Sequence, residues 1–467
     1  MNKATSVACQ TETDIENIAQ KTLMCRPDLW DYSGCAGRVL TRRLRHQEKQ
    51  SESVSADRAP VLECPCSAWP EVGFPQRDDT YCSYESGRAD QCAGAARTAI
   101  LVPAPHRPGV LDSPRRQAIP VGYSNRREAR QMDSIRWAVL GAGRFGSIHA
   151  RAMQGMTGVE LVALCTRNPQ HQQQAARDFP GVEVMSHADQ LLTRDDVDTV
   201  TIATHWRDHR DLALQALAAG KNVFLEKPLA PSKNACLEVL AAARSAEGVF
   251  MVGHVCRFDP RVSLAQQAIR SGRIGKVLSM SAKRNLPVNA PLRLDKISPL
   301  MGDGVHDADL MMWFTGSAPT RVYGRQLHSR KTRFPEAGWA ILEFGDQAIG
   351  VIETHWGLPA NVSTLIDARM EIVGTEGKLE IDCSHTGLEL LDADGARMQD
   401  TSYWPVQHGQ VGGALRSELD YFAECVRRQH APEVVTPVEA AHAVIVMEAA
   451  EASAAQGQPV ELSWPLS

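Results

Sequence analysis

The sequence predicts an α/β fold, a parallel sheet covered on both faces by helices, followed by a second half rich in strands. Three observations carry this. An apolar run, Ile135-Arg136-Trp137-Ala138-Val139-Leu140, ends in Gly141-Ala142-Gly143-Arg144-Phe145-Gly146 and continues at helical spacing. From there to His254, short apolar runs alternate with helical stretches, the pattern of consecutive strand–helix–strand units. Between Trp339 and Trp356 an alternation that includes Ile341, Phe344, Ile349, Val351 and Ile352 supports strands instead.

The totals exclude several classes. A chain of 467 residues has room for two or three domains at about 150 residues each. Charged residues make up 22% and the hydrophobic class 43%, the balance of a soluble globular protein. A net charge of -5 leaves no footprint for nucleic acid or an anionic membrane. Apolar runs fall short of the ~20 residues of a spanning helix, and Met1–Gln20 lacks the apolar centre of a signal peptide. The expected location is cytoplasmic, where the twelve cysteines stay mostly reduced.

Residues 1–131 read differently. They are dense in Arg, Ser, Pro and Cys, and a helix over Thr11–Leu23 would be marginal alone. This stretch is expected to be disordered, or an upstream extension preceding a natural start at Met132-Asp133-Ser134. Cys64-Pro65-Cys66, Cys82 and Cys92 match no usual zinc spacing, and no C-x-x-C pair occurs, so no metal is expected.

The glycine turn opens the ordered part. Gly141 permits the sharp bend, Gly143 lets the backbone approach a pyrophosphate, and Gly146 allows helix and strand to pack closely. The first helical N–H groups, around Arg144 and Phe145, would hold the phosphates. That helix is expected to run to about Met156, followed by a strand at Val159–Leu164. An acid that would bind a ribose 2′-hydroxyl is expected after this strand, but the chain offers Cys165-Thr166-Arg167-Asn168. With no carboxylate to repel it, a 2′-phosphate can be held by Thr166 and Arg167, so NADP is expected in preference to NAD. The other reading makes Arg167 a solvated loop charge, with both cofactors accepted.

A helix follows at Gln170–Phe179, then a strand at Val182–Met185 and a helix around Ala188–Thr193. Asp198–Thr204 reads as a buried strand, and Asp208–Gly220 as an amphipathic helix with Gly220 at its C-cap. Asn222-Val223-Phe224-Leu225 is the next strand, delivering Glu226-Lys227-Pro228. A lysine at the carboxyl end of a parallel strand sits at the crevice where such sheets bind ligands.

The G-x-G-x-x-G of Gly141–Gly146, the Thr204 to His209 spacing and the run Ala219-Gly220-Lys221-Asn222-Val223-Phe224-Leu225-Glu226-Lys227-Pro228 together resemble the Gfo/Idh/MocA oxidoreductases, over Ile135 to about Leu462. The resemblance implies a Rossmann dinucleotide-binding domain over 132–254. It implies an α+β domain over 255–467, built on a large, mostly antiparallel open sheet, with the C-terminal helix packing back on the first domain. It places Thr204, His205, His209, Glu226 and Lys227 around the cofactor, with Lys227 beside the nicotinamide and the reacting hydroxyl and a cis bond to Pro228.

In the second half, Val249–His254 is a last apolar strand, Pro260–Ser271 a helix ending at Gly272, and Val277 begins a strand. Glu371–Ile381 reads as a hairpin with glycine at its turn, and Leu415–Arg427 and Pro437–Ala455 as closing amphipathic helices. An open sheet needs its outer face covered, so a homo-oligomer, dimer or tetramer, is expected.

The family commonly carries D-x-G-x-H where this chain has Gly302-Asp303-Gly304-Val305-His306, with a further acid three residues on that Asp309 matches. The resemblance implies that His306 takes the substrate hydroxyl proton, supported by the aspartate. Here that aspartate position is Gly302, with Asp303 one step late. Either Asp303 substitutes through a shifted loop, or Lys227 and His306 act without it. A plainer reading has His306 capping a helix from Asp307 to Phe314. Arg257, Arg284 and Asn285 are candidates for lining the substrate cleft. The expected activity is transfer of a hydride between a sugar, cyclitol or nucleotide-sugar hydroxyl and a nicotinamide cofactor. The alternatives are a glycoside hydrolase that retains its cofactor, and a nucleotide sensor without chemistry.

Overall fold

The computed structural model describes residues 134–287, 296–329, 332–364 and 366–464. The expectations for residues 1–131 lie outside them.

The first half is a six-stranded, wholly parallel sheet. Its strands are β1 (Ile135–Leu140), β2 (Val159–Cys165), β3 (Glu183–Met185), β4 (Thr199–Ile202), β5 (Asn222–Glu226) and β6 (Phe250–Gly253), in the order β3-β2-β1-β4-β5-β6. The order reverses between β1 and β4, and that switch point puts a crevice at the carboxyl ends of the strands. β4 and β5 are buried along their whole length, as near-continuous apolar strands covered on both faces must be.

The crossover helices are α1 (Arg144–Gln154), α2 (Pro169–Asp178), α3 (Ala188–Leu192), α4 (His209–Ala218) and α5 (Lys233–Ser245). Local chemistry explains their starts. Asn168 Oδ1 accepts from the Gln170 and His171 N–H groups ahead of α2, with Pro169 at the first position. The helix expected over Asp208–Gly220 is shorter: a 3₁₀ turn, Trp206–Asp208, precedes α4, and Gly220 follows the Ala219 cap at φ +68°. Sequence periodicity did not reveal α5. It is wedged between α4 and a C-terminal helix, with Ala235, Cys236, Val239 and Leu240 buried along one face.

The second half opens with α6 (Pro260–Arg270), capped by Asp259, and is built on a seven-stranded sheet. Its strands are β7 (Val277–Pro287), β8 (Arg321–Leu327), β9 (Ala337–Phe344), β10 (Ala348–Leu358), β11 (Asp367–Gly374), β12 (Lys378–Asp382) and, after two small hairpins, the short C-terminal Val460–Glu461. Only β7 and β10 pair in parallel; the other neighbours are antiparallel. Helix α7 (Val305–Thr315), entered through a π-helical turn at Leu300–Gly304, packs on β7 and β10. His306 therefore lies inside α7 and does not cap it.

Two long helices close the chain, α8 (Gly413–Arg428) and α9 (Pro437–Gln456). α9 starts with a complete capping box between Thr436 and Glu439. It lies on β8 and α7 on one side and on α5 on the other, where Glu448 accepts the Lys233 N–H at 2.6 Å. α8 reaches the first sheet through Phe422, whose ring lies 5.6 Å from Trp137 and 5.5 Å from Phe224. One continuous apolar core therefore joins the two sheets.

Candidate functional site

Two groups of residues gather at the carboxyl edge of the parallel sheet. The first is the glycine turn. Gly141 has φ +102°, and a Cβ there would meet the Ala203 carbonyl oxygen at 2.5 Å. A Cβ at Gly146 would overlap the Gly141 carbonyl oxygen, so α1 can lie this close to β1 only with glycine. At Gly143 the nearest neighbour is the His171 ring at 3.7 Å, leaving an open approach above the first turn of α1. That turn contains no acidic residue and no side-chain cap, so its N–H groups and helix dipole are available to an anion.

The residues expected around a dinucleotide cluster near this turn. Thr166 is buried after β2, and Arg167, largely exposed, pairs with Asp208 at 2.8 Å. His209 Nδ1 lies 2.8 Å from the Pro228 carbonyl oxygen, which assigns the proton to Nδ1. Among the described residues, the buried His209 Nε2 and Thr204 Oγ1 have no hydrogen-bond partner. Burial of such polar atoms is costly unless something pairs with them, and a bound nicotinamide dinucleotide fits that requirement. His205 is exposed and its Nδ1 accepts from the Arg207 N–H at 3.4 Å. Glu226 turns away toward α1, where His149 Nε2 lies 2.8 Å from it.

The second group surrounds Lys227, whose bond to Pro228 is cis. Its ammonium donates to the Gly302 carbonyl at 2.7 Å and stands 3.9 Å from Asp303 Oδ1. The other oxygen of Asp303 accepts the Trp356 Nε1–H at 2.8 Å. His306 is buried beside them. Burial first, then the positive charges of Lys227 and Arg284 and the neighbouring His254, holds its pKa well below the usual histidine value. The ring is therefore neutral at pH 7, the form that accepts a proton. His254 stands edge-to-face to it, ring centroids 6.2 Å apart, and burial lowers its pKa as well.

The structure thus brings Lys227, Asp303 and His306 together. It commits the two arginines to buried ion pairs. Arg257 is fully buried, with a two-point contact to Asp309 at 2.8 and 2.6 Å and a bond to the Val434 carbonyl. Arg284 likewise grips Asp307 at 3.1 and 2.8 Å. Removing one partner of such a buried pair costs about 3–5 kcal/mol, so these contacts tie α7 to its surroundings. Asp309 is engaged by Arg257, with His254 Nδ1 3.4 Å away. Asn285 donates to Glu353 at 3.1 Å.

Sequence reasoning takes His254 for a satisfied strand-end histidine and misses Trp356 and Glu418. Trp356 ends the alternating run on β10, and a buried indole N–H needs an acceptor; that was its only signal. Glu418 of α8 is fully buried, neither carboxyl oxygen has a partner among the described residues, and burial raises its pKa well above the usual value. No cluster of metal-binding geometry occurs among the described residues.

Both halves of the chain resemble known proteins. Residues 135–254 match a family model described as an oxidoreductase family with an NAD-binding Rossmann fold, and residues 262–380 match the GFO/IDH/MocA C-terminal domain. The chain is 30% identical over 341 residues to scyllo-inositol 2-dehydrogenase (NAD(+)) of Bacillus subtilis, covering 70% of this chain and 96% of that protein. It is 30% identical over 263 residues to 2,7-anhydro-N-acetylneuraminate hydratase of Escherichia coli, 54% of this chain and 68% of the other. The myo-inositol 2-dehydrogenase structure from Lactobacillus plantarum superposes with a TM-score of 0.62 at 24% identity, over 71% of this chain and all of that one, a likeness of fold. With both halves matched in order and nearly the full length of the Bacillus protein aligned, the chain belongs to the Gfo/Idh/MocA family of oxidoreductases.

Proposed function

We propose that this chain is a nicotinamide-dependent dehydrogenase of a polyhydroxylated ring, an inositol or a related sugar, including nucleotide-linked sugars. The observation that carries the reading is Lys227, whose ammonium sits at the sheet crevice between the Gly302 carbonyl, Asp303 and the His306 side of the cleft. A substrate hydroxyl entering here meets a cationic donor and a neutral imidazole. Lys227 binds and orients the oxygen and stabilises negative charge developing on it. His306, neutral at pH 7, takes the hydroxyl proton. Asp303 keeps the ammonium aimed. The bound nicotinamide supplies the hydride acceptor. The turn at Gly141, Gly143 and Gly146, with the N–H groups of Arg144 and Phe145, would hold its pyrophosphate, and Thr204, His205 and His209 would contribute to its site. Arg257 and Arg284 are assigned structural roles, because each guanidinium is committed to a buried carboxylate.

For the cofactor, the missing acid after β2 and the presence of Thr166 and Arg167 favour NADP. The Asp208 carboxylate on Arg167 favours NAD, since it already neutralises the charge a 2′-phosphate needs. The NAD(+) in the Bacillus relative's name supports the same side. We assign NAD as an accepted cofactor and Asp208 as the restraint on NADP. A second reading has the cofactor remain bound through a net non-redox reaction. The relative named as a hydratase supports it.

The test is a fluorescence titration with NADH and NADPH, then oxidation of a panel of inositols, sugars and nucleotide sugars beside Lys227→Ala. The expected result is binding, release of free reduced cofactor, and a loss of about 10²–10³ in kcat in Lys227→Ala with cofactor affinity kept. Turnover without free reduced cofactor would move the assignment to the second reading. No binding of either nucleotide would defeat both.

A further inference from the structure

Position 302 has no room for a side chain. A Cβ built on Gly302 meets the Trp356 ring at 2.8 Å. That indole, 2% exposed, is the group that donates to Asp303 Oδ2 at 2.8 Å. The opposite oxygen, Oδ1, is left facing Lys227 Nζ at 3.9 Å. Positions 302 and 303 precede His306 by four and three residues, and both spacings bring a side chain to the same face of a helical segment. Periodicity alone therefore leaves the two positions equivalent as places for an acid. The indole breaks the tie, because its ring fills the space at one and its N–H anchors the carboxylate of the other.

We propose, building on the dehydrogenase reading above, that Trp356 is the positioning residue of this site: it excludes a side chain at 302 and holds Asp303 so that one carboxylate oxygen serves Lys227. The indole takes one oxygen and fixes the plane of the carboxyl group, which sits in a largely buried spot where an unanchored carboxylate would rotate away from the lysine. Gly302 keeps a separate duty through its backbone, since its carbonyl accepts from Lys227 at 2.7 Å. The lysine is held by two consecutive residues of the π-helical turn, one through main chain and one through side chain. Trp356 also packs on Leu286, Ile297 and Ile366, so a core role has to be separated from a positioning role.

Trp356→Phe keeps the ring and removes the N–H. Measured with Asp303→Asn and the double variant, at saturating NAD with an inositol that the native protein oxidises, each single change should lower kcat about 10–100-fold, with NADH affinity unchanged. The double variant should fall no further than the weaker single one, because both remove the same contact. Native kcat in Trp356→Phe, or losses that multiply in the double variant, would overturn the proposal. A second readout needs no turnover. In protein labelled with ¹⁵N-tryptophan, the indole proton resonance that disappears in Trp356→Phe should move upfield in Asp303→Asn, as a bond to a charged acceptor is replaced by a weaker one. An unmoved resonance would overturn the proposal. If the native protein oxidises nothing in the panel while the resonance moves, the dehydrogenase reading fails and the anchoring of Asp303 by Trp356 stands.

Discussion

Charge state at single residues follows from burial, and the signs differ between the histidines and Glu418. His209, His254 and His306 all have pKa values lowered by burial. Below the ordinary value of 6.5 the unfolded chain takes up protons that the folded chain refuses, so stability is lost as pH falls from there. In the proposed reaction the same shift would keep His306 a base in mildly acid solution. The acid limb of kcat/KM for oxidation is expected below 6.5, and a limb at or above that value would remove His306 as the base. Glu418 has the opposite sign. Its raised pKa means the folded chain keeps a proton that the unfolded chain releases above about 4.5, so its contribution is lost as pH rises. Glu418→Gln should raise the melting temperature at pH 8 and leave it unchanged at pH 4. Equal melting at both would show that Glu418 has a partner when folded.

Among the elements, the turn between β1 and α1 combines two kinds of glycine requirement, and substitution separates them. At Gly146 a methyl group runs into the Gly141 carbonyl oxygen, so Gly146→Ala should force α1 off the strand and lower both melting temperature and NADH affinity. At Gly143 the φ of -83° suits any residue and the nearest atom is 3.7 Å away. Gly143→Ala should therefore melt like the native protein while binding NADH at least about tenfold more weakly, because the methyl group occupies the pyrophosphate's approach. Calorimetry and fluorescence titration on the pair check this; equal effects on both measurements would contradict it. Helix α7 illustrates a different economy. It carries His306 toward the cleft and Asp307 and Asp309 into buried arginine pairs, so one element both presents the proposed base and is clamped on two sides.

In the molecule as a whole, α8 and α9 weld the cofactor sheet to the second sheet, while the second sheet's outer face is left bare. Trp339, Ile341, Ile349 and Val351 stand exposed there, adjacent on β9 and β10. Such a patch on a sheet is the kind of surface that another copy covers, and a homo-oligomer through this face remains our proposal. Ile349→Lys, placed at the most exposed of the four, should lower the mass seen by sedimentation equilibrium. A native protein that sediments as a monomer would exclude the oligomer. No helix among the described residues is long and apolar enough to cross a membrane.

The sequence by itself determined the parallel sheet, the glycine turn and Lys227 at the end of β5, because local signals specify each of them. A bend that only glycine can make, a period of 3.6 or 2, and a motif at a strand end are all written over a dozen contiguous residues. It also located Asp303 and His306, yet left open whether Asp303 stood in for the acid absent at Gly302. That choice depends on Trp356, more than fifty residues downstream on β10, whose indole enters the space only when the second sheet forms. The fates of Arg257 and Arg284 were equally invisible, since a guanidinium in sequence does not reveal whether Asp309, Asp307 or a substrate will meet it. Glu418 lies in a periodic helix that any reading would place, but what lies around its carboxyl group is decided by α8 docking beneath the cofactor sheet. Contacts between residues far apart in the chain carry no local signature, and the functional detail of this site is made of them.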